Sequence, residues 1–506
     1  MIRRLSEKPG IVFVLVFAWK VALLLFTAQP VPNNDSFFYD GPVVNYLLHG
    51  KYCNPSLVQA LPISGGEVFC AYPPLYQAVL LGWMGVFGTS ALSAMWLHVV
   101  LLGVYFLIVL AIFRQLRVPG LLVNLAGLFL FGITFHDRPD TVAHVLGALA
   151  VFGLVREGGG LWLTVAALIL AFCASLQIGG VYLLWCGLVV IGNAWMGNNN
   201  FPWAALIIGG LTLAGLVALV KFGYPQLWAG FQEHARLTPS VTGWRVPSVL
   251  DGLKALRTAP AVFVVAAGVI LACLRKQATI AALKKSPAGV IAICGTLAAL
   301  ALIGVSLVVL TPNTVHIANY LQPIVVGGFL SAGLFFPNPQ KPSRAVLALF
   351  FALSLVTGVR AIGMTTWGVL CARDMSYAQA TSRVRADVDA LPPGSTVIAS
   401  AAYLYDLASR TNITWIHNDW PAPPGGREMW EYHAFARLRP RLVIVTQFDF
   451  YRRYGAIFEQ LKSHPDLASL RVTNTAGVRA PDSFPQMQRI VQHISWAPVI
   501  AEFSWK

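Results

Sequence analysis

The sequence predicts a polytopic α-helical membrane protein that ends in an extracytoplasmic α/β domain, and three observations carry that expectation. Hydrophobic residues make up 57% of the 506 positions and charged residues only 11%, where an ordinary soluble domain carries about 25% charged residues. The apolar residues are gathered into runs of about twenty, the length that a helix rising about 1.5 Å per residue needs to cross a bilayer's hydrocarbon core. From about residue 374 the runs stop, and charged helices alternate with short apolar strands separated by turn residues.

The first run, 11–29, follows Arg3, Arg4 and Lys8. A polar loop opened by Pro30 and Pro32 comes next, without a small-residue cleavage site, which favours a spanning helix over a removed signal. Further runs fall near 91–113, 119–135, 141–155, 161–176, 180–196, 203–222, 260–274, 288–310, 318–336 and 345–362. The total is about eleven spans. Arg3, Arg4, Lys8, Arg114, Arg117, Arg156, Arg275, Lys276, Lys284, Lys285, Lys341 and Arg344 all fall on one side, which the positive-inside rule makes cytoplasmic. The N-terminus is then inside, and an odd number of spans puts residues 373–506 outside an inner (plasma) membrane. Topology thus explains the net charge of +15 better than nucleic-acid binding does, since the basic residues do not gather on one polar face.

The same alternation sorts the acids. Before residue 372 they are Glu7, Asp35, Asp40, Glu67, Asp137, Asp140, Glu157, Glu233 and Asp251, and all except Glu7 and Glu157 fall on the outer side. A carboxylate at a membrane surface is costly unless it faces water, pairs or does chemistry, so the chemistry is expected to face outward. The richest stretch is Asp35–Gly50, DSFFYDGPVVNYLLHG, in a first outer loop spanning 30–90; a second long outer loop, 223–259, is broken by Pro225, Pro239 and Gly243.

In the C-terminal domain, Arg383 to Leu391 continue a helix that Pro392-Pro393-Gly394 stops. Thr396–Ser400, Ile413–His417, Arg441–Thr446 and Val499–Phe503 read as strands and Tyr451–Lys462 as a helix. No G-x-x-x-x-G-K and no G-x-G-x-x-G before a helix occurs, so a soluble nucleotide donor has no support. The seven cysteines show no C-x-x-C spacing and indicate neither zinc site nor redox pair. Cys53 and Cys70 share the first outer loop, where an oxidising compartment would permit a disulfide; the sequence leaves that pairing open.

The outer-face residues resemble those of the GT-C superfamily, membrane glycosyltransferases that use polyprenyl-phosphate-linked sugars, in the branch of protein mannosyltransferases and lipid A aminoarabinose transferases. Asp35, Tyr39, Leu47 and Gly50 fill that family's first-loop pattern, while Ser36 stands where many relatives carry a second acid. Tyr72-Pro73-Pro74-Leu75-Tyr76 with Phe87-Gly88 is similar to the segment after that loop, and Arg138-Pro139-Asp140, after His136 and Asp137, resembles the R-P-D at an outer helix junction. Two looser matches are Ser175-Leu176-Gln177, where Leu176 replaces a lysine, and Asn319-Tyr320-Leu321-Gln322-Pro323. The resemblance implies an inverting transfer of a sugar from a polyprenyl phosphate to a glycan, lipid or protein acceptor. It implies no certain cofactor, because the first loop has neither a D-x-D nor a D-E pair to support a divalent metal.

Such a transfer needs a carboxylate to deprotonate the acceptor and a cation to stabilise the departing phosphate. Asp35 is the candidate general base, since a wet loop keeps it ionised near neutral pH. Arg138 is the candidate phosphate cation, a fork that binds two oxygens while Asp137 or Asp140 orients it. His234 and Arg236 in the second outer loop are further cations, and Tyr39, Tyr72, Asp40, Gln177, Asn319 and Tyr320 complete the expected substrate contacts. Asp40 and Asp140 also have a plainer reading, as caps at helix starts. A transporter or a non-catalytic scaffold would share the many spans, but no internal repeat is present and the acids gather at one face rather than mid-membrane.

Overall fold

The computed structural model describes residues 7–27, 34–58, 61–132, 138–156, 160–195, 203–237, 325–333, 344–371, 377–410, 412–416, 427–450, 454–474 and 497–506, with single positions 290, 291, 294, 295, 297, 298, 301 and 323. Eleven helices of the body are α1 (Ile11–Thr27), α2 (Asn34–His49), α3 (Leu75–Phe87), α4 (Ala91–Gln115), α5 (Gly120–Gly132), α6 (Pro139–Val155), α7 (Gly160–Ala174), α8 (Leu176–Trp195), α9 (Trp203–Ala218), α10 (Pro225–Leu237) and α11 (Arg344–Cys371). Among the described residues, α4 alone is an unbroken helix long and apolar enough to cross a membrane; the apolar stretches of α1, α3 and α5 to α8 are shorter. The expected run 260–274, most of 288–310 and about half of 318–336 lie outside the described residues.

Small residues let the helices approach. A Cβ on Gly160 would lie 1.9 Å from the Gly153 carbonyl oxygen, so α6 meets α7 almost backbone to backbone, and one on Gly147 would lie 2.1 Å from the Tyr182 ring of α8, which packs flush on that glycine. One end of the bundle is fixed by Asn124 of α5. Its Oδ1 accepts from the Gly10 and Val12 amides and its Nδ2 donates to the Lys8 carbonyl. The starts of α1 and α5 therefore share the end that carries Lys8, Arg114 and Arg117.

The first outer loop is more structured than its polar composition suggests. It contains α2, a 3-10 turn Pro55–Leu57, a π turn Ile63–Glu67 and the apolar helix α3, whose thirteen residues are too short to register as a span. Inside α2, Pro42 has no amide to give the Phe38 carbonyl. Asn54 Nδ2 donates to that carbonyl at 2.9 Å and to Phe37's at 3.0 Å instead. Gly41 is required there, since a Cβ would sit 2.5 Å from the Asn54 amide.

The disulfide that the sequence left open is not formed: Cys53 and Cys70 are free and buried. Asn45 Nδ2 donates to Cys53 Sγ, whereas Cys70 Sγ lies between Ser64, the Val68 carbonyl and α10, so the two thiols pack on different partners. Nor does Pro225 break the second outer loop, because it opens α10 at the first helical turn, where its missing amide costs nothing. The chain bends by 99° between Gly209–Gly223 and Pro225–Glu233.

The C-terminal part opens with helix α12 (Tyr377–Asp389) and builds one sheet from β1 (Val397–Ser400), β2 (Ile413–Ile416), β3 (Leu442–Thr446), β4 (Leu467–Asn474) and β5 (Pro498–Trp505) in the order β2-β1-β3-β5-β4. The first three strands are parallel, and β5 and β4 join antiparallel. Buried along their whole length, β1 and β3 explain their unbroken apolar sequence. Helices α13 (Arg427–Leu438) and α14 (Gly455–Leu461) flank the sheet; α13 and β4 were not expected from the sequence.

Candidate active site

At the bundle end opposite Asn124, three chain breaks bring five of the expected residues together. Pro139 starts α6 and holds Arg138 extended ahead of it, at φ −144° and ψ 156°. Asp140 follows in the first turn, where the helix dipole favours a negative charge. Its carboxylate makes no cap bond. Oδ2 lies 3.2 Å from Arg138 Nε, and Oδ1 accepts from Ser175 Oγ at 2.8 Å. Ser175 sits in the break between α7 and α8, where its Oγ also receives the Ile178 amide, so one hydroxyl serves both the helix start and the ion pair.

Two tyrosines of the first outer loop cover this pair. The Arg138 guanidinium lies 5.8 Å from the centre of the Tyr39 ring, within cation–π range, and the Tyr39 and Tyr72 rings meet edge to face at 4.9 Å. Tyr72 donates its hydroxyl to Gln177 Oε1 at 3.3 Å. Burial, reinforced by the Asp140 charge, pushes the Tyr72 phenol up to about 12. Arg138 and Asp140 are 5% and 6% exposed, so the pair is held where water screens it little.

Asp40 corrects the sequence reading of a solvated cap. It is the seventh residue of α2 and 0% exposed. Its Oδ1 accepts from Tyr76 at 2.6 Å and its Oδ2 from Tyr405 of the C-terminal part. The Tyr76 oxygen faces His98 Nε2 at 3.1 Å, His98 Nδ1 faces Thr141 Oγ1 at 3.2 Å, and the Thr141 amide donates to the Arg138 carbonyl. Because a carboxylate only accepts, Tyr76 donates to Asp40 and leaves its oxygen to accept from His98 Nε2. The chain Tyr405–Asp40–Tyr76–His98–Thr141 thus ends beside Arg138. His98 and Tyr405 escaped the sequence reading: one stands alone in an apolar run, the other is 365 residues from its partner.

The other expected residues are not joined to this cluster by the described atoms. Asp35 lies in the first turn of α2, and His234 and Arg236 in α10, but their side chains lie outside the described residues, as do Asp137, Asn319 and Tyr320 entirely. Helix α10 itself packs on the first outer loop. Glu233 accepts from the Ile63 and Ser64 amides, and Gly230 rests on Cys70, where a Cβ would come within 1.8 Å of Sγ. Burial pushes the Glu233 carboxyl up against the pull of those amides. Among the described residues, no three His, Cys, Asp or Glu side chains are grouped to hold a metal ion.

A mostly helical body joined to a C-terminal sheet is a fold this chain shares with a solved membrane glycosyltransferase of the GT-C superfamily. The solved structure of ArnT from Cupriavidus metallidurans bound to undecaprenyl phosphate is similar to this chain with a TM-score of 0.51 at 13% identity, covering 96% of this chain and 97% of that one. Its apo form aligns at TM-score 0.48 with 12% identity, covering 96% and 97%; the oligosaccharyltransferase AglB from Archaeoglobus fulgidus aligns at 0.37 with 11% identity, covering 88% and 70%. These last two are too distant to argue from. No family model matches the sequence, and no curated protein does.

Proposed function

We propose that this chain is an integral-membrane, inverting glycosyltransferase of about eleven spans, with residues 1–372 in the membrane domain and 373–506 in an extracytoplasmic domain. It moves a sugar from a polyprenyl-phosphate donor to a glycan, lipid or protein acceptor on the outer side of a cell inner membrane, its N-terminus cytoplasmic. The observation that carries the reading is the Arg138–Asp140–Ser175 arrangement capped by Tyr39, at the end of the bundle away from Lys8, Arg114 and Arg117. A buried guanidinium paired with a carboxylate 3.2 Å from its Nε is a cation of the kind that binds phosphate oxygens, and the start of α6 adds the positive end of a helix dipole. The ArnT structure was solved with undecaprenyl phosphate, a lipid of the class this arrangement would take.

In this reading Arg138 receives the departing phosphate, Tyr39 and Tyr72 shield it from water, and Asp35 takes the acceptor proton as the anomeric carbon is attacked. The test is transfer by purified chain in nanodiscs from a polyprenyl-phosphate sugar, read as released polyprenyl phosphate. Asp35→Asn abolishes turnover while expression and folding persist. Full turnover by that variant removes Asp35 as the base, and solute flux through proteoliposomes without any transfer replaces the enzyme by a transporter.

A further inference from the structure

We infer that Asp40 is a positioning residue through which the docked C-terminal domain sets the orientation of the α2 turn carrying Asp35 and Tyr39. The inference rests on the proposed reading of Tyr39 and Arg138 as the phosphate site. Three observations lead to it. Helix α2 is weakened at Pro42, where its own ladder is interrupted and Asn54 reaches in to take the Phe37 and Phe38 carbonyls. The turn before Pro42 therefore depends on contacts from outside the helix. Asp40 supplies them, since a carboxylate with no exposed surface requires donors, and it takes one hydroxyl from α3 and one from the C-terminal domain.

The third observation is where the C-terminal domain touches α2. Tyr405 meets Phe37 edge to face at 5.8 Å besides donating to Asp40, and the His49 ring lies 2.7 Å from the Ala408 carbonyl. One short segment after β1 thus grips α2 on both sides of Pro42. Tyr39 is the immediate neighbour of Asp40, so any rotation of the turn that frees Asp40 also carries the Tyr39 ring away from Arg138. The Tyr76–His98–Thr141 chain anchors the same carboxylate to the residues following Arg138, which fixes both halves of the site to one atom group.

Hydrogen exchange on the full chain in nanodiscs tests this without any substrate. Tyr405→Phe keeps the ring against Phe37 and deletes the hydroxyl; Asp40→Asn keeps the shape and deletes the charge. Both are expected to speed exchange of amides 36–41 by about tenfold or more, the factor lost with one hydrogen bond to a charged group, while β1 and β3 keep wild-type protection. Polyprenyl-phosphate affinity falls at least about threefold in each. Tyr405→Phe and Tyr76→Phe combined are non-additive, because both act through Asp40. Unchanged exchange at 36–41 in both single variants, or exchange that rises only at 401–408, overturns the coupling. If the wild-type chain binds no polyprenyl phosphate, the phosphate reading fails by itself, and the exchange result still decides for or against Asp40.

Discussion

Deleting the Arg138 side chain separates what the ion pair does for the fold from what it does for a ligand. Arg138→Ala leaves Asp140 6% exposed with its cation gone, retaining the Ser175 hydroxyl at 2.8 Å. Breaking a buried pair in this way costs about 3–5 kcal/mol, and the lost contact with Tyr39 adds about 0.5–2 kcal/mol. Adding Asp140→Asn removes the orphaned charge while Ser175 keeps an acceptor, so the double variant should recover at least about half of the lost stability. Polyprenyl-phosphate binding should not recover. The loss of a charge-assisted fork lowers affinity by about a hundredfold, or about 2.8 kcal/mol, in the single and the double variant alike. Thermal unfolding followed by tryptophan fluorescence gives the first quantity, and lipid-phosphate binding in nanodiscs the second. A double variant that binds like wild type would refute the assignment of Arg138 to the phosphate; a single variant as stable as wild type would refute the structural weight given to the pair.

Gly230→Ala should loosen α10 from the first outer loop, since its Cβ would meet Cys70 Sγ at 1.8 Å, a clash costing about 1–3 kcal/mol; adding Cys70→Ala, which removes that sulfur, restores most of the unfolding midpoint if the contact is the cause. Cys53 and Cys70 are expected to be alkylated in unfolded protein without reductant, so a mass lacking both adducts contradicts the free thiols. Tyr72 ionises at about 10 in an unfolded chain and is pushed up to about 12 here, so its stabilising share is complete below pH about 10 and is lost as pH rises through about 12. Tyr72→Phe should therefore flatten the fall of stability across that window, and an unchanged alkaline limb would show that its phenol is not held back.

Much of the Arg138 cluster was legible because its residues announce themselves locally. Arg138-Pro139-Asp140 reads as a helix start with a charge of each sign, and Tyr72 follows from a proline pair beside an aromatic. Their convergence follows from topology, since successive apolar runs return to the same face. What was not legible depends on distance or on burial that reverses a residue's usual role. Asp40 looks like a solvated cap from its neighbours Tyr39 and Gly41, and only the arrival of Tyr405, 365 positions on, makes it a buried acceptor. Helix α3 was hidden by length, and β4 by its alternation of Arg471 and Asn474 with only moderately apolar residues at the sheet's edge. The two cysteines left their pairing undecided for a similar reason: sharing a loop gives proximity in sequence, while Asn45 and α10 decide what each sulfur packs on.

Asp40 and Asp140 are satisfied in different ways, and the difference fits two tasks. Asp140 faces a guanidinium that a ligand phosphate would also want, with one hydroxyl steadying the carboxylate so the cation keeps its position as the ligand arrives. Asp40 takes tyrosine hydroxyls from separate parts of the chain, bonds that carry direction. The first arrangement is suited to recognition, the second to registration of one domain on another. Their link through His98 and Thr141 means that a change at either should be felt at the other, whereas Asn124, at the opposite end of the bundle, should be silent in both.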